Sequence, residues 1–400
     1  MKKVWDKWTR IALVKRILVG LILGAVLGIA VPQATGIAIL GDVFVSALKA
    51  IAPLLVFFLV VSSLCNAGKS HGGVIKTVII LYMFSTVLAA VIAVFASMAF
   101  PVKMTLANAA TDTSAPQGIV EVLNNLLLNV VANPVSSLVN ANYVGILMWA
   151  VLLGLAFRAA DKMTKKVLAD VADGISMVVT WIINLAPFGI FGLVFNTVST
   201  NGLDIFTTYG KLLLLLVGCM LFIYFVTNPL LVYWCIRQNP YPLVLRCLKD
   251  SGITAFFTRS SAANIPVNME LCKDLGLDED TYSISIPLGA TINMGGAAIT
   301  ISIMALAAAH TLGISVDFPT ALILCILAAA SAAGASGVAG GSLLLIPMAC
   351  SLFGIPNDVA MQVVGVGFIV GVIQDSCETA LNSSTDVLYT ACACRIRKNK

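Results

Sequence analysis

The sequence predicts an all-α integral membrane protein with eight transmembrane helices and two further, interrupted apolar segments. Three observations predict it. Hydrophobic residues make up 59% of the 400 and charged residues 11%, against ~45–50% (glycine included) and ~25% in soluble domains. Apolar runs long enough to span the ~30 Å hydrocarbon core recur along the chain. The two interrupted segments enter the membrane from opposite sides, which makes the C-terminal half an inverted repeat. So little charge cannot cover a soluble surface. Disordered, collagen-like and disulfide-rich secreted classes are excluded on the same composition.

Spans are expected at about 11–31, 39–65, 74–101, 119–157, 164–198, 208–236, 281–309 and 358–391. The interrupted segments are 243–272 and 318–355. Pro32, Gly72–Gly73, Pro101, Pro240 and Pro319 mark joints between them. The whole chain, 1–400, reads as a single membrane domain. The apolar run of the first span follows Lys2, Lys3, Lys7, Arg10, Lys15 and Arg16, as in a signal peptide. It is longer than a signal core of ~7–15 residues, and more membrane follows it, so it is expected to remain uncleaved. Trp5 and Trp8 suit the interfacial belt.

Cationic residues alternate along the loops. Lys69 and Lys76, then Arg158, Lys162, Lys165 and Lys166, then Arg237, Arg246, Lys249 and Lys273 fall on one side, with both basic ends. The loops at 32–42, 310–319 and 354–358 carry no Lys or Arg, and those at 101–118 and 199–211 carry only Lys103 and Lys211. The positive-inside rule then makes both termini cytoplasmic. Segment 243–272 opens from the inside and 318–355 from the outside, each either a re-entrant hairpin or a pair of spans. The net charge of +5 is small and patchy, so no nucleic-acid partner is expected. The cysteines lie mainly in apolar runs, apart from Cys392-x-Cys394. No spacing suggests zinc or another transition metal.

The tips of the interrupted segments are unusual. One reads Thr258-Arg259-Ser260-Ser261-Ala262-Ala263-Asn264, the other runs from Ser331 to Ser342 and is rich in Gly, Ala and Ser. Such backbone admits close approach of a ligand, and at membrane depth it is tolerated only where it lines a cavity or is buried in protein. A long span with a polar motif follows each segment: Thr291-Ile292-Asn293-Met294-Gly295-Gly296 and Thr379 to Asp386. This is the architecture expected of secondary transporters with a midplane site.

The last span carries the chemistry. Asp375, Thr379, Asn382 and Asp386 are spaced four, three and four apart, which places them on one helical face, with Glu378 at its edge. An acid at the centre of a span costs ~2.5–3.5 kcal/mol even on the lenient insertion scale, so these groups need a partner or a wet site. Arg259 is a candidate partner for Asp375 or for an anionic ligand. Ser260 and Ser261 read either as a helix cap or as a broken-helix N-terminus aimed at a carboxylate. Carbonyls released at Gly289, Thr291, Asn293 and Asn382, with the Asp386 carboxylate, would suit a hard cation.

These stretches resemble the dicarboxylate/amino acid:cation symporter family. The resemblance rests on Thr258-Arg259-Ser260-Ser261, Leu288-Gly289-Ala290-Thr291-Ile292-Asn293-Met294, the Gly-rich tip 334–341, Gln374-Asp375-Ser376-Cys377-Glu378-Thr379 and Asn382 to Asp386. It implies an elevator-type, multi-pass transporter of the bacterial inner membrane, a homotrimer, with re-entrant hairpins as gates. Scaffold spans would cover about 11–65 and 119–198, and the transport part about 74–101 and 208–395. Asp375 would hold the substrate ammonium. Asn382 and Ser261, with amides near Ser260 and Gly337, would hold the α-carboxylate. One sodium would sit among Gly289, Asn293, Asn382 and Asp386, a second among Thr291, Ser331, Ala332 and Gly334. Sodium is the only cofactor-like species implied, as coupling ion.

Three departures shape the substrate expectation. Acidic-substrate relatives carry an arginine where this chain has Glu378 and a threonine at Ala297, and the family's aspartate in the Asn-Met motif is Gly295 here. The first two losses point to a small neutral hydroxy amino acid, serine or threonine, whose hydroxyl would meet Glu378 or Thr379. The third leaves a further cation site at Tyr82, Ser85, Thr86 and Asn293 without its charge. The rivals are an acidic amino-acid symporter, a broader neutral exchanger, a cation channel, and an intramembrane protease suggested by Gly334-Ala335-Ser336-Gly337. The protease lacks a base, because the only histidines are His71 and His310, so no enzyme is expected.

Overall fold

The computed structural model describes residues 11, 13–66, 73–106, 127–202, 204–333 and 340–398. The basic residues before position 11, Trp5, Trp8, Lys69, His71, Gly334, Ser336, Gly337 and Lys400 lie outside them. The described residues are helical and contain no strand. Six helices among them are long and apolar enough to cross a membrane.

The N-terminal helices are α1 (Leu13–Ala30), α2 (Ala38–Asn66) and α3 (Gly73–Ala99). The expected single span 119–157 is not one helix in its described part. Asn133 caps a short α4 (Pro134–Val139), accepting from the amides of Val135 and Ser136, and Asn142 caps α5 (Tyr143–Ala156). Ala141, with φ 52°, makes the turn between them. Two Asx caps and a proline outweigh the apolar run. The expected span 164–198 is likewise two helices, α6 (Lys162–Asn184) and α7 (Ala186–Asn201), which meet at Leu185 just before Pro187.

Helix α8 (Asp204–Phe222) passes through a π-turn at Ile223–Thr227 into α9 (Asn228–Ile236). The first interrupted segment is a helical hairpin. Its rising arm holds α10 (Tyr241–Cys247), a π-turn and α11 (Ile253–Thr258), and α12 (Ser261–Asp274) returns. Arg259, in the left-handed region at φ 53°, ends α11, and Ser260 caps α12. The span expected at 281–309 is broken into α13 (Glu279–Ile292) and α14 (Gly295–Thr311), because Asn293 and Met294 leave helical geometry. The second segment has α15 (Phe318–Ala332), a 3-10 turn at Ser342–Leu345 and α16 (Ile346–Ser351). A single helix, α17 (Asn357–Lys398), completes the described chain.

The helices pack in two groups. Helices α1, α2, α5, α6 and α7 contact chiefly one another, whereas α3 and α8 to α17 pack around α14 and α17. Helix α14 is the centre of the second group, buried without interruption from Gly296 to Ala309. Ile22, Val26, Ile39, Leu214, Trp234 and Phe257 are exposed, as a lipid-facing surface requires.

The first group is held by a close approach. A Cβ on Gly20, Gly24 or Gly28 would lie 2.2, 2.6 or 3.0 Å from the carbonyl oxygens of Pro187, Phe191 and Phe195. This is small-residue packing of α1 on α7. The Gly-x3-Gly-x3-Gly spacing is visible in the sequence, but the helix it packs against is not.

Candidate functional site

Both hairpins converge on one carboxylate in the middle of α17. Arg259 reaches Asp375 Oδ2 through Nε and Nη2, each at 2.7 Å. The Gly340 amide, at the end of the second tip, donates to Asp375 Oδ1 at 3.2 Å. Asp375 is buried, 2% exposed. Its carboxylate is paired with the Arg259 guanidinium, one of the two partners the sequence offers for Arg259. Ser260 Oγ accepts from the Ala263 amide at 3.2 Å, the capping alternative, and Ser261 is buried beside it.

A second constellation joins the break between α13 and α14 to α17 about two to three turns further on. Asn293 Nδ2 donates to Thr385 Oγ1 at 2.8 Å, to Asp386 Oδ1 at 2.9 Å and to the Asn382 carbonyl at 3.3 Å. Tyr82 Oη donates to the Asp386 carbonyl at 2.9 Å. Asp386 is 1% exposed, no basic side chain pairs with it among the described residues, and its Oδ2 is buried without a partner among them. Gly289 allows this, since a Cβ there would sit 2.6 Å from Asp386 Oδ1. A buried acid with one bare oxygen and oxygen-bearing neighbours has the chemistry of a hard-cation site.

Asn382 caps the second half-helix: its Oδ1 accepts from the Gly296 amide at 2.7 Å. Gly296 is required for the approach, because a Cβ there would lie 2.9 Å from the Glu378 backbone. One expectation is corrected here. Helix α17 is not unwound at Asn382 but continuous from Asn357 to Lys398. The Asn382 carbonyl instead accepts the side chains of Asn293 and Thr385. Gly289 O is likewise occupied by the Asn293 amide at 2.9 Å, and Met294 O by the Ala298 amide at 3.0 Å.

Glu378 is more enclosed than its place at the edge of the stripe suggests. Its Oε2 accepts from Gln374 Nε2 at 2.6 Å, Thr300 Oγ1 at 2.8 Å and Ser342 Oγ at 2.9 Å. Thr379 Oγ1 donates to the Asp375 carbonyl at 2.8 Å. Around the other cation set, Thr291 Oγ1 donates to the Leu288 carbonyl and Ser331 Oγ to the Leu327 carbonyl, with Ala332 buried. Gly334 and Gly337 fall outside the described residues. At the third set, the Ser85 and Thr86 hydroxyls both donate to the Tyr82 carbonyl at 2.9 Å.

Sequence reasoning missed a network that fixes the first hairpin. Asn264 Nδ2 donates to Ser251 Oγ at 3.0 Å and Ser383 Oγ at 2.9 Å, and Asn268 Nδ2 donates to the Ser383 carbonyl at 2.9 Å. Two asparagines at i, i+4 in an apolar context were the available signal. Thr300, Ser342 and Gln374 were also missed as a group. Among the described residues no three His, Cys, Asp or Glu side chains cluster as metal ligands.

Apolar helices wrapped around a buried polar seam define a multi-pass membrane protein, and the comparisons with known sequences narrow the class. Residues 13–396 match the model of the sodium:dicarboxylate symporter family. The chain belongs to that family. It is 61% identical over 394 residues to the serine/threonine transporter SstT of Streptococcus agalactiae serotype Ia, a match covering 98% of each chain.

Proposed function

We propose that the protein is a sodium-coupled symporter that carries serine and threonine into the bacterial cell. The observation that carries this reading is Asp386: a fully buried carboxylate with one oxygen unpartnered among the described residues. Such a group is stabilised by a captured cation. The similarity to a serine/threonine transporter supports the substrate, as does Glu378, a buried acid that would repel an acidic side chain.

The hairpins act as re-entrant gates in this reading. The second has arms of only 15 residues and, from the 3-10 turn onward, 10 residues, each too short to span a bilayer. Its carbonyls would take a cation and its amides a carboxylate, so sodium and substrate both favour the closed gate, and their coupling is reciprocal. The two packing groups correspond to a scaffold and a moving transport part. A cavity of about 490 Å³ lies between them, lined by Ser46, Lys49, Asn196, Tyr209, Asp358 and Gln362. Lys49 and Asp358 form an ion pair across this boundary. We extend the reading to a homotrimeric inner-membrane assembly with both termini cytoplasmic.

Uptake into proteoliposomes under imposed sodium or proton gradients tests the proposal. Serine should accumulate with an inward sodium gradient and aspartate should not. Serine uptake indifferent to sodium, or preferred aspartate uptake, overturns it.

A further inference from the structure

Gln374 is 1% exposed, and its amide is held in one orientation. Nε2 donates to Glu378 Oε2 at 2.6 Å and to Thr300 Oγ1 at 2.7 Å. With Glu378 ionised, the reverse orientation would press the amide oxygen against a carboxylate oxygen, two acceptors with no proton between them. The carbonyl oxygen, Oε1, is thus directed away from Glu378. It is buried and has no hydrogen-bond partner among the described residues. A buried acceptor left bare is costly, and a ligand that brings a donor to it gains that cost back as selectivity.

Its position is at the hairpin junction. Gln374 precedes Asp375, on which Arg259 and the Gly340 amide converge. Through Glu378 it is linked to Ser342 of the second hairpin, and through Thr300 to α14. One oxygen of Glu378 and the Thr379 hydroxyl, groups expected to meet a substrate hydroxyl, are engaged elsewhere. Glu378 Oε2 already takes three donors, and the Thr379 hydroxyl donates to the Asp375 carbonyl.

We infer that Gln374 is a specificity-determining residue whose Oε1 accepts the side-chain hydroxyl of the transported amino acid. This rests on the substrate reading above and deepens it. Serine and threonine supply the missing donor. Alanine, with the same backbone groups, leaves Oε1 bare. Glu378 and Thr300 are positioning residues that hold the amide by its N–H groups.

The test is competition by serine and by alanine against radiolabelled serine uptake in proteoliposomes, read as the ratio of their apparent affinities. The wild type should favour serine by at least about tenfold. Gln374→Leu, of similar size without the carbonyl, should bring the ratio to about 1. Thr300→Ala should lower the ratio and Thr300→Ser should restore it, a pattern a merely structural role would not give. A wild type without preference for serine over alanine overturns the inference, as does Gln374→Leu with the preference intact. Should Gln374→Leu fail to fold, the wild-type ratio and the Thr300 pair still decide. Sodium-dependent uptake of neither amino acid would instead sink the transport reading itself.

Discussion

Arg259 and Asp375 are 116 residues apart in sequence and joined by two contacts of 2.7 Å to a single carboxylate oxygen. The left-handed turn at Arg259 makes this reach possible, because it ends α11 at the tip rather than continuing it past α17. Removing one partner leaves the other charge buried and bare, at a cost of about 3–5 kcal/mol. Arg259→Met should therefore lower the thermal unfolding midpoint in detergent sharply. The double variant Arg259→Met/Asp375→Leu should recover much of the loss, and a double variant no more stable than the single one would contradict the pairing.

The α1–α7 seam predicts a separate effect. Gly24→Leu places a side chain where even a Cβ lies 2.6 Å from the Phe191 carbonyl. Overpacking costs about 1–3 kcal/mol where side chains can shift, and backbone yields less readily. Lower yield of folded protein by size-exclusion chromatography is expected, whereas Gly174→Ala, with open space around it, should behave as wild type.

The asparagine network should hold the first hairpin against α17. Asn268→Ala strips the Ser383 carbonyl of its side-chain donor and removes the acceptor of Ser251 Oγ, a loss of about 1–3 kcal/mol for buried groups. Faster amide hydrogen exchange should appear in 253–268, with the second hairpin unchanged.

Glu378→Arg removes the acceptor shared by Gln374, Thr300 and Ser342 and puts a buried cation in its place. Serine uptake should be lost, measured in proteoliposomes against wild type. Intact serine uptake would show that the carboxylate is dispensable.

Much of this site is legible in the sequence because α17 is regular. A four-three-four spacing on an unbroken helix fixes a face, so Asp375, Asn382 and Asp386 align from their spacing alone. Their contacts with other helices are not legible in that way. Glu378 lies at the edge of the stripe, and only the packing of α14 and the second hairpin reveals that Thr300 and Ser342 surround it. The expected span boundaries fail where local caps beat hydropathy. Asn133-Pro134 and Asn142 end and restart helices inside one apolar run, and Pro187 divides another. Unwinding is expected at Asn382 from the sequence, but its side chain caps α14 while its own helix stays intact. Gly295 and Gly296 read alike in sequence, yet only Gly296 is pressed against α17.

Sodium coupling turns on the bare oxygen of Asp386 acting as a sodium ligand. The direct test is equilibrium binding of serine to purified protein as sodium is varied, for wild type and Asp386→Asn. The asparagine keeps the shape and can still accept from Asn293, so folding should survive. Wild-type serine affinity should rise steeply with sodium, and the variant should need at least about tenfold more sodium for the same affinity, the loss of one charged ligand. An unchanged sodium dependence in a folded Asp386→Asn protein would contradict the account.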